Sequence, residues 1–143
     1  MKRSFLICLF ALFSVGVSSA QNTIEVVVNG MRKTTGKILV SLHNSQDTYG
    51  SYTTCYKSKD IDVSKHENSC VFNNLADGTY TVTLYHDDDN NRKLTTNFLG
   101  IPREGFGFSN NAKVVLGRPA YKLAKFDVKG NRTVRQIINL QFL

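Results

Sequence analysis

The sequence predicts an all-β protein: a single antiparallel β-sandwich of about seven short strands, with one long ordered loop. Three observations carry that prediction. Apolar residues recur at period two in several short windows, no window sustains a helical period, and turn-forming Gly, Asn and Asp separate the windows. The size agrees, since 143 residues less a leader suffice for one core and are too few for two ordinary domains.

The leader comes first. Lys2 and Arg3 precede an apolar run from Phe5 to Val17, and Ser18-Ser19-Ala20 supplies the small residues a signal peptidase reads. A signal peptide over 1–20 is expected, leaving 21–143 as the β-sandwich domain. The run is shorter than the ~20 residues of a spanning helix, so no transmembrane span is expected in the mature chain. Cys8 lacks the small preceding residue of a lipid attachment site. Export to the periplasm or beyond the cell follows. Net charge falls from +7 to +5 once Lys2 and Arg3 are removed. In that compartment an anionic lipid, a polysaccharide or an acidic partner is a better counter-charge than nucleic acid, and much of the excess is simply solvated.

Strands then follow in order. Ile24, Val26 and Val28 share one face of a strand over 23–30, and Ile38, Val40 and Leu42 share one face of a strand over 37–43. With Asn29-Gly30 between them, the two read as a hairpin. Residues 44–68 are polar and read as loop with short extended pieces, including Ile61 to Val63. Removing Cys8 leaves Cys55 and Cys70, an even pair in an oxidising compartment, so a disulfide is expected; closing that span would add about 3 kcal/mol. Neither zinc nor thiol-redox spacing is present. Val71-Phe72 is a short strand and Asp77-Gly78 a turn. Thr79 to His86 alternates most clearly, with Tyr80, Val82, Leu84 and His86 against Thr81, Thr83 and Tyr85. Past the long loop come a short apolar run, Lys113 to Leu116, then a break at Gly117-Arg118-Pro119. A strand over 121–128 follows, Leu123-Ala124 lying either in it or on a helical turn after Pro119, and Thr133 to Leu143 closes the chain.

The long loop, His86 to Asn111, holds the candidate chemistry. It combines Asp87, Asp88 and Asp89 with five Asn, three Phe, and Gly100, Gly105 and Gly107. Glycines and aromatics mark it as ordered. Phe98, Phe106 and Phe108, near Tyr85 and Tyr121 and flanked by Asn110, Arg103 and Glu104, form a candidate platform for a sugar or peptide, with His86 at its start. The competing reading makes these Phe the loop's own small core. His86, Asp87 and Ser109, with Glu104 as a further acid, are the residue types of a hydrolytic triad, but Ser109 lacks the strained elbow such a nucleophile uses. A zinc site from His86 with His43 or His66 has no support in spacing.

One pattern runs through most of the chain: Gly78-x-Tyr80, His86-Asp87, Asn97-x-x-Gly100-Ile101-Pro102-x-Glu104-Gly105-x-Gly107-Phe108-Ser109-Asn110-Asn111, Gly117-x-Pro119 and Ala124-x-Phe126. It resembles the exported bacterial proteins grouped as domain of unknown function 2141. The resemblance implies an immunoglobulin-like or transthyretin-like sandwich outside the cytoplasm, with no established activity. It also implies a calcium loop, because members carry an Asp and Asn series with a Gly after the His-Asp, and Ca²⁺ takes six to eight hard oxygens. Here Asp87, Asp89 and Asn91 keep the alternate spacing, while Arg92 stands where the Gly is expected and Thr95 where a later Asp is expected. The resulting expectation is a non-enzymatic binding or envelope accessory domain, recognising a protein, peptide or glycan of the cell envelope through residues 86–111. The alternatives are a metal-dependent or hydrolytic enzyme centred on His86 and Asp87, and a purely structural envelope protein.

Overall fold

The computed structural model describes residues 21–143, so the expected leader lies outside the described residues. The strands are β1 (Asn22–Asn29), β2 (Lys37–His43), β3 (Lys57–Asp62), β4 (Ser69–Leu75), β5 (Gly78–Asp87), β6 (Phe106–Phe108), β7 (Phe126–Val128) and β8 (Thr133–Asn139), with one short α-helix, α1 (Tyr121–Ala124), and 3-10 turns at Val63–Lys65 and Ser109–Asn111. They form the expected sandwich. One sheet has the order β4-β1-β8; the other runs β3-β2-β5, and the far edge of β5 is shared by β6 and β7.

Between the sheets lies the main core. Ile24, Val26 and Val28 of β1, Ile38, Val40 and Leu42 of β2, and Val82 and Leu84 of β5 are almost wholly buried there, the inward sets that the period-two pattern assigns. Each such side chain contributes about 1.5–3 kcal/mol on burial. A second, smaller cluster of Tyr49, Tyr85, Phe106, Phe108, Ala112 and Ala124 covers the outer face of the β5 sheet, so β5 is buried on both faces for most of its length.

The structure departs from the sequence reading in several places. β1 and β2 are not a hairpin: β1 pairs with β4 and, in parallel, with β8, whereas β2 pairs with β3 and β5. The connection over 30–36 is too long for a tight hairpin turn, and it crosses the sandwich between two left-handed glycines, Gly30 (φ 81°) and Gly36 (φ 76°). Among the described residues there are eight strands, because Phe106–Phe108 leaves the long loop to pair antiparallel with Thr83–Tyr85. Residues 121–128 divide into α1 and β7, the helical-turn alternative. Lys113 to Leu116 forms no regular element. The expected disulfide is also absent: Cys55 and Cys70 are both free. Between β3 and β4, Lys57 Nζ donates to the Asn73 carbonyl at 3.2 Å.

Candidate functional site

Residues 86–111 fold into two regions of different chemistry. The first is a carboxylate-centred turn at the end of β5. Asp87, 1% exposed, accepts from the Asn91 N–H (3.0 Å) and the Arg92 N–H (2.8 Å) through its two oxygens. Asp89 accepts from the Asn91 backbone (3.1 Å) and side-chain amide (2.9 Å). Buried Glu104 reaches in from the returning chain and accepts from Asp88 N–H (3.2 Å) and Thr95 N–H (2.8 Å). Burial pushes the Glu104 carboxyl above its ordinary range, against those two bonds. Asp88 turns away to pair with Lys33 at 2.6 Å.

Oxygens of Asp87, Asp89 and Glu104 lie within 4.8 Å of one another. Asn91, expected as the third ligand, is turned otherwise: its amide donates to Asp89 and its oxygen accepts from Lys93 N–H at 2.7 Å. Arg92 adopts the left-handed backbone (φ 58°) that a Gly would hold more cheaply, and its guanidinium pairs with Asp60 on β3 at 3.0 Å. The three carboxylates fit a hard divalent cation in donor type and supply at most six oxygens, the lower end of what Ca²⁺ takes. Asp87, Asp89 and Glu104 would hold it.

The residue types of a triad are not assembled. His86 faces the main core and donates Nε2–H to the Thr35 carbonyl at 2.7 Å. Ser109 is wholly buried beside Val82, four residues along the strand and so on the order of 13 Å from His86. Its hydroxyl accepts from Val82 N–H (2.9 Å) and donates to the Ala124 carbonyl (2.6 Å). The zinc set is not assembled either. His43, which pairs with Thr81 on the outer face, lies across the sheet from His86, and His66 is exposed on a turn after β3. Burial, with help from the Arg118 charge, lowers His43 to about 4, so its ring is neutral.

Asn110 is likewise engaged in the fold: its amide donates to the Leu123 (3.2 Å) and Lys125 (2.9 Å) carbonyls, while its backbone N–H donates to Gln136 (2.8 Å). Asn111 beside it caps the free edge of β8 at Ile137 and Asn139. Arg103 is exposed, and Phe98 stands 94% exposed.

The second region is apolar. Phe106 and Phe108 point outward from β6 because the alternate positions, Gly105 and Gly107, point inward, where Phe142 and Ile138 press against them; a Cβ on Gly107 would fall 2.5 Å from Ile138 Cγ2. The two rings, 6.2 Å apart, form the floor of a groove of about 650 Å³. Its walls come from Tyr52, from the 94–102 hairpin through Leu94 and Ile101, and from Val114, Val115 and Leu116. Leu116 is 97% and Val115 84% exposed. Sequence reasoning singled out the floor and missed the walls, since an apolar run such as Val114-Val115-Leu116 reads as buried.

No curated protein and no solved structure matches the chain. Among the described residues no helix is long and apolar enough to cross a membrane. A model of an uncharacterized protein family conserved in bacteria, DUF2141, matches residues 26–136, which include all of β2 to β7 and the whole of the 86–111 segment. The chain belongs to the DUF2141 family.

Proposed function

We propose that this protein is a non-enzymatic binding domain of the bacterial cell envelope, exported through a cleaved leader over 1–20, with the apolar groove on β6 as its recognition surface. The observation that carries the reading is the solvent exposure of the groove walls. Ile101, Val115, Leu116 and Leu143 stand open to water around a floor of Phe106 and Phe108, and contiguous exposed apolar surface of this kind marks an interaction site. The volume falls in the range of about 300–1,000 Å³ typical of small-molecule sites. An apolar ligand suits this lining better than a glycan, which would need convergent polar groups. Ser109 and His86 are engaged in the fold, which weighs against a hydrolytic triad built on them. The test is titration with the neutral dye Nile red. Saturable one-to-one binding that weakens at least tenfold in the double variant Val115→Ser/Leu116→Ser is expected. Binding unchanged by the double variant would refute the groove as the site.

A second reading rests on the convergence of Asp87, Asp89 and Glu104: the turn binds Ca²⁺. Melting temperature would then rise by several degrees with millimolar Ca²⁺ over chelator, and Asp89→Asn would abolish the rise. Superimposable melts with and without the ion exclude it.

A further inference from the structure

We propose that the groove takes a single-chain amphiphile with an anionic head, such as a long-chain carboxylate, its chain lying over Phe106 and Phe108 and its head meeting Arg118. This rests on the reading of the groove as the binding surface and adds the chemistry of what fills it. Arg118 carries the one charged side chain in the lining, and no acidic side chain joins it there. It enters no ion pair among the described residues. Its guanidinium is held in place by other means. The Tyr49 ring lies beneath it, 5.1 Å from the guanidinium carbon, and Gly50 leaves the space that the arginine crosses, since a Cβ there would lie 2.5 Å from Arg118 Cδ. Tyr49 Oη–H donates to the Pro119 carbonyl at 3.0 Å, tying the backbone that carries Arg118 to the same ring.

The outcome is a cation fixed at one place on the wall of an apolar groove, its fork of N–H donors turned to no acidic partner of the fold. Guanidinium groups pair with carboxylates in a bidentate fashion, and an anion positioned here would gain that pairing beside an apolar surface that holds its chain. Arg103 and Lys113 are exposed and adjoin the lining residues Pro102 and Val114 in the chain. An apolar ligand with a cationic head would find no acidic side chain in the lining to pair with.

The experiment is competition against Nile red by dodecanoate, dodecan-1-ol and dodecyltrimethylammonium, each below its micelle concentration, with the wild-type protein, Arg118→Gln and Gly50→Ala. Circular dichroism and melting verify that each variant is folded. Dodecanoate should compete at least tenfold more tightly than dodecanol, with the ammonium weakest. Arg118→Gln should bring dodecanoate to within threefold of dodecanol and leave dodecanol unchanged. Gly50→Ala, which keeps the charge but displaces the guanidinium and strains a left-handed backbone (φ 80°), should lose most of the same preference. Equal competition by carboxylate and alcohol in the wild type would overturn the head-group inference and leave the groove reading standing. Failure of all three to compete, with dye binding indifferent to Val115→Ser/Leu116→Ser, would overturn both.

Discussion

Ser109→Ala is the substitution that best separates a structural serine from a reactive one. β5 pairs with β7 over Gly78–Tyr80 and with β6 over Thr83–Tyr85, and the gap at residues 81–82 is bridged by the Ser109 hydroxyl. Alanine would leave the Val82 N–H and the Ala124 carbonyl without partners, in a place Ser109 keeps wholly from solvent. An unsatisfied buried donor costs about 1–3 kcal/mol, and the carbonyl, relieved in part by its second lone pair, adds less. The expected loss is about 2–4 kcal/mol. For a domain of this size that is a fall in Tm of roughly 8–15 °C. Urea unfolding followed by far-UV circular dichroism should show a lower midpoint with an unchanged slope, because the surface exposed on unfolding hardly changes. A loss under about 1 kcal/mol would refute the bridging role and return Ser109 to the pool of free hydroxyls.

Two other expectations concern titrating groups. Burial raises the folded-state value of Glu104 above its unfolded one, so its contribution to stability is complete below the unfolded carboxyl value and is lost as pH rises through the raised folded value. The stability advantage of wild type over Glu104→Gln should therefore shrink between pH 4 and neutrality; an advantage that grows over that interval contradicts the assignment. Cys55 and Cys70 should both react as free thiols with a thiol reagent in unreduced, denatured protein. In the native state Cys70, pushed up to about 11 by burial, should react far more slowly with a thiol reagent than after unfolding. An intact mass two hydrogens lighter than the dithiol would overturn this.

Period-two alternation was enough to identify the inward faces of β1, β2 and β5, because burial on one face of a strand leaves that mark whatever the partner. It says nothing of which sheet a strand joins. Ile24 and Ile38 are equally inward whether their strands are neighbours or face each other across the core, and they face each other. β6 went unseen because three residues are too few for a period, and Phe-Gly-Phe reads as a turn. The Asp87 and Glu104 carboxylates were legible as chemistry, but their convergence depends on a return of the chain that no local pattern announces. In the sequence Arg118 and Gly50 are ordinary loop residues, and their relation exists in space alone.

The glycine-rich signature and the groove are the two sides of one short strand. On the inward side of β6, Gly107 lets Ile138 of the opposite sheet approach, and Gly105 lets Phe142 do so. On the outward side, Phe106 and Phe108 become a floor. Because β6 and β7 divide one edge of β5, the chain between His86 and Gly105, and again between Ser109 and Lys125, has to leave the sheet and fold back over its outer face. Those two excursions carry the Ile101 and Leu116 walls. A bulkier residue at Gly107 would therefore damage fold and groove together. Substitutions confined to Val115, Leu116 and Arg118, which face solvent and support no strand pairing, are the ones that can remove binding and leave the sandwich intact.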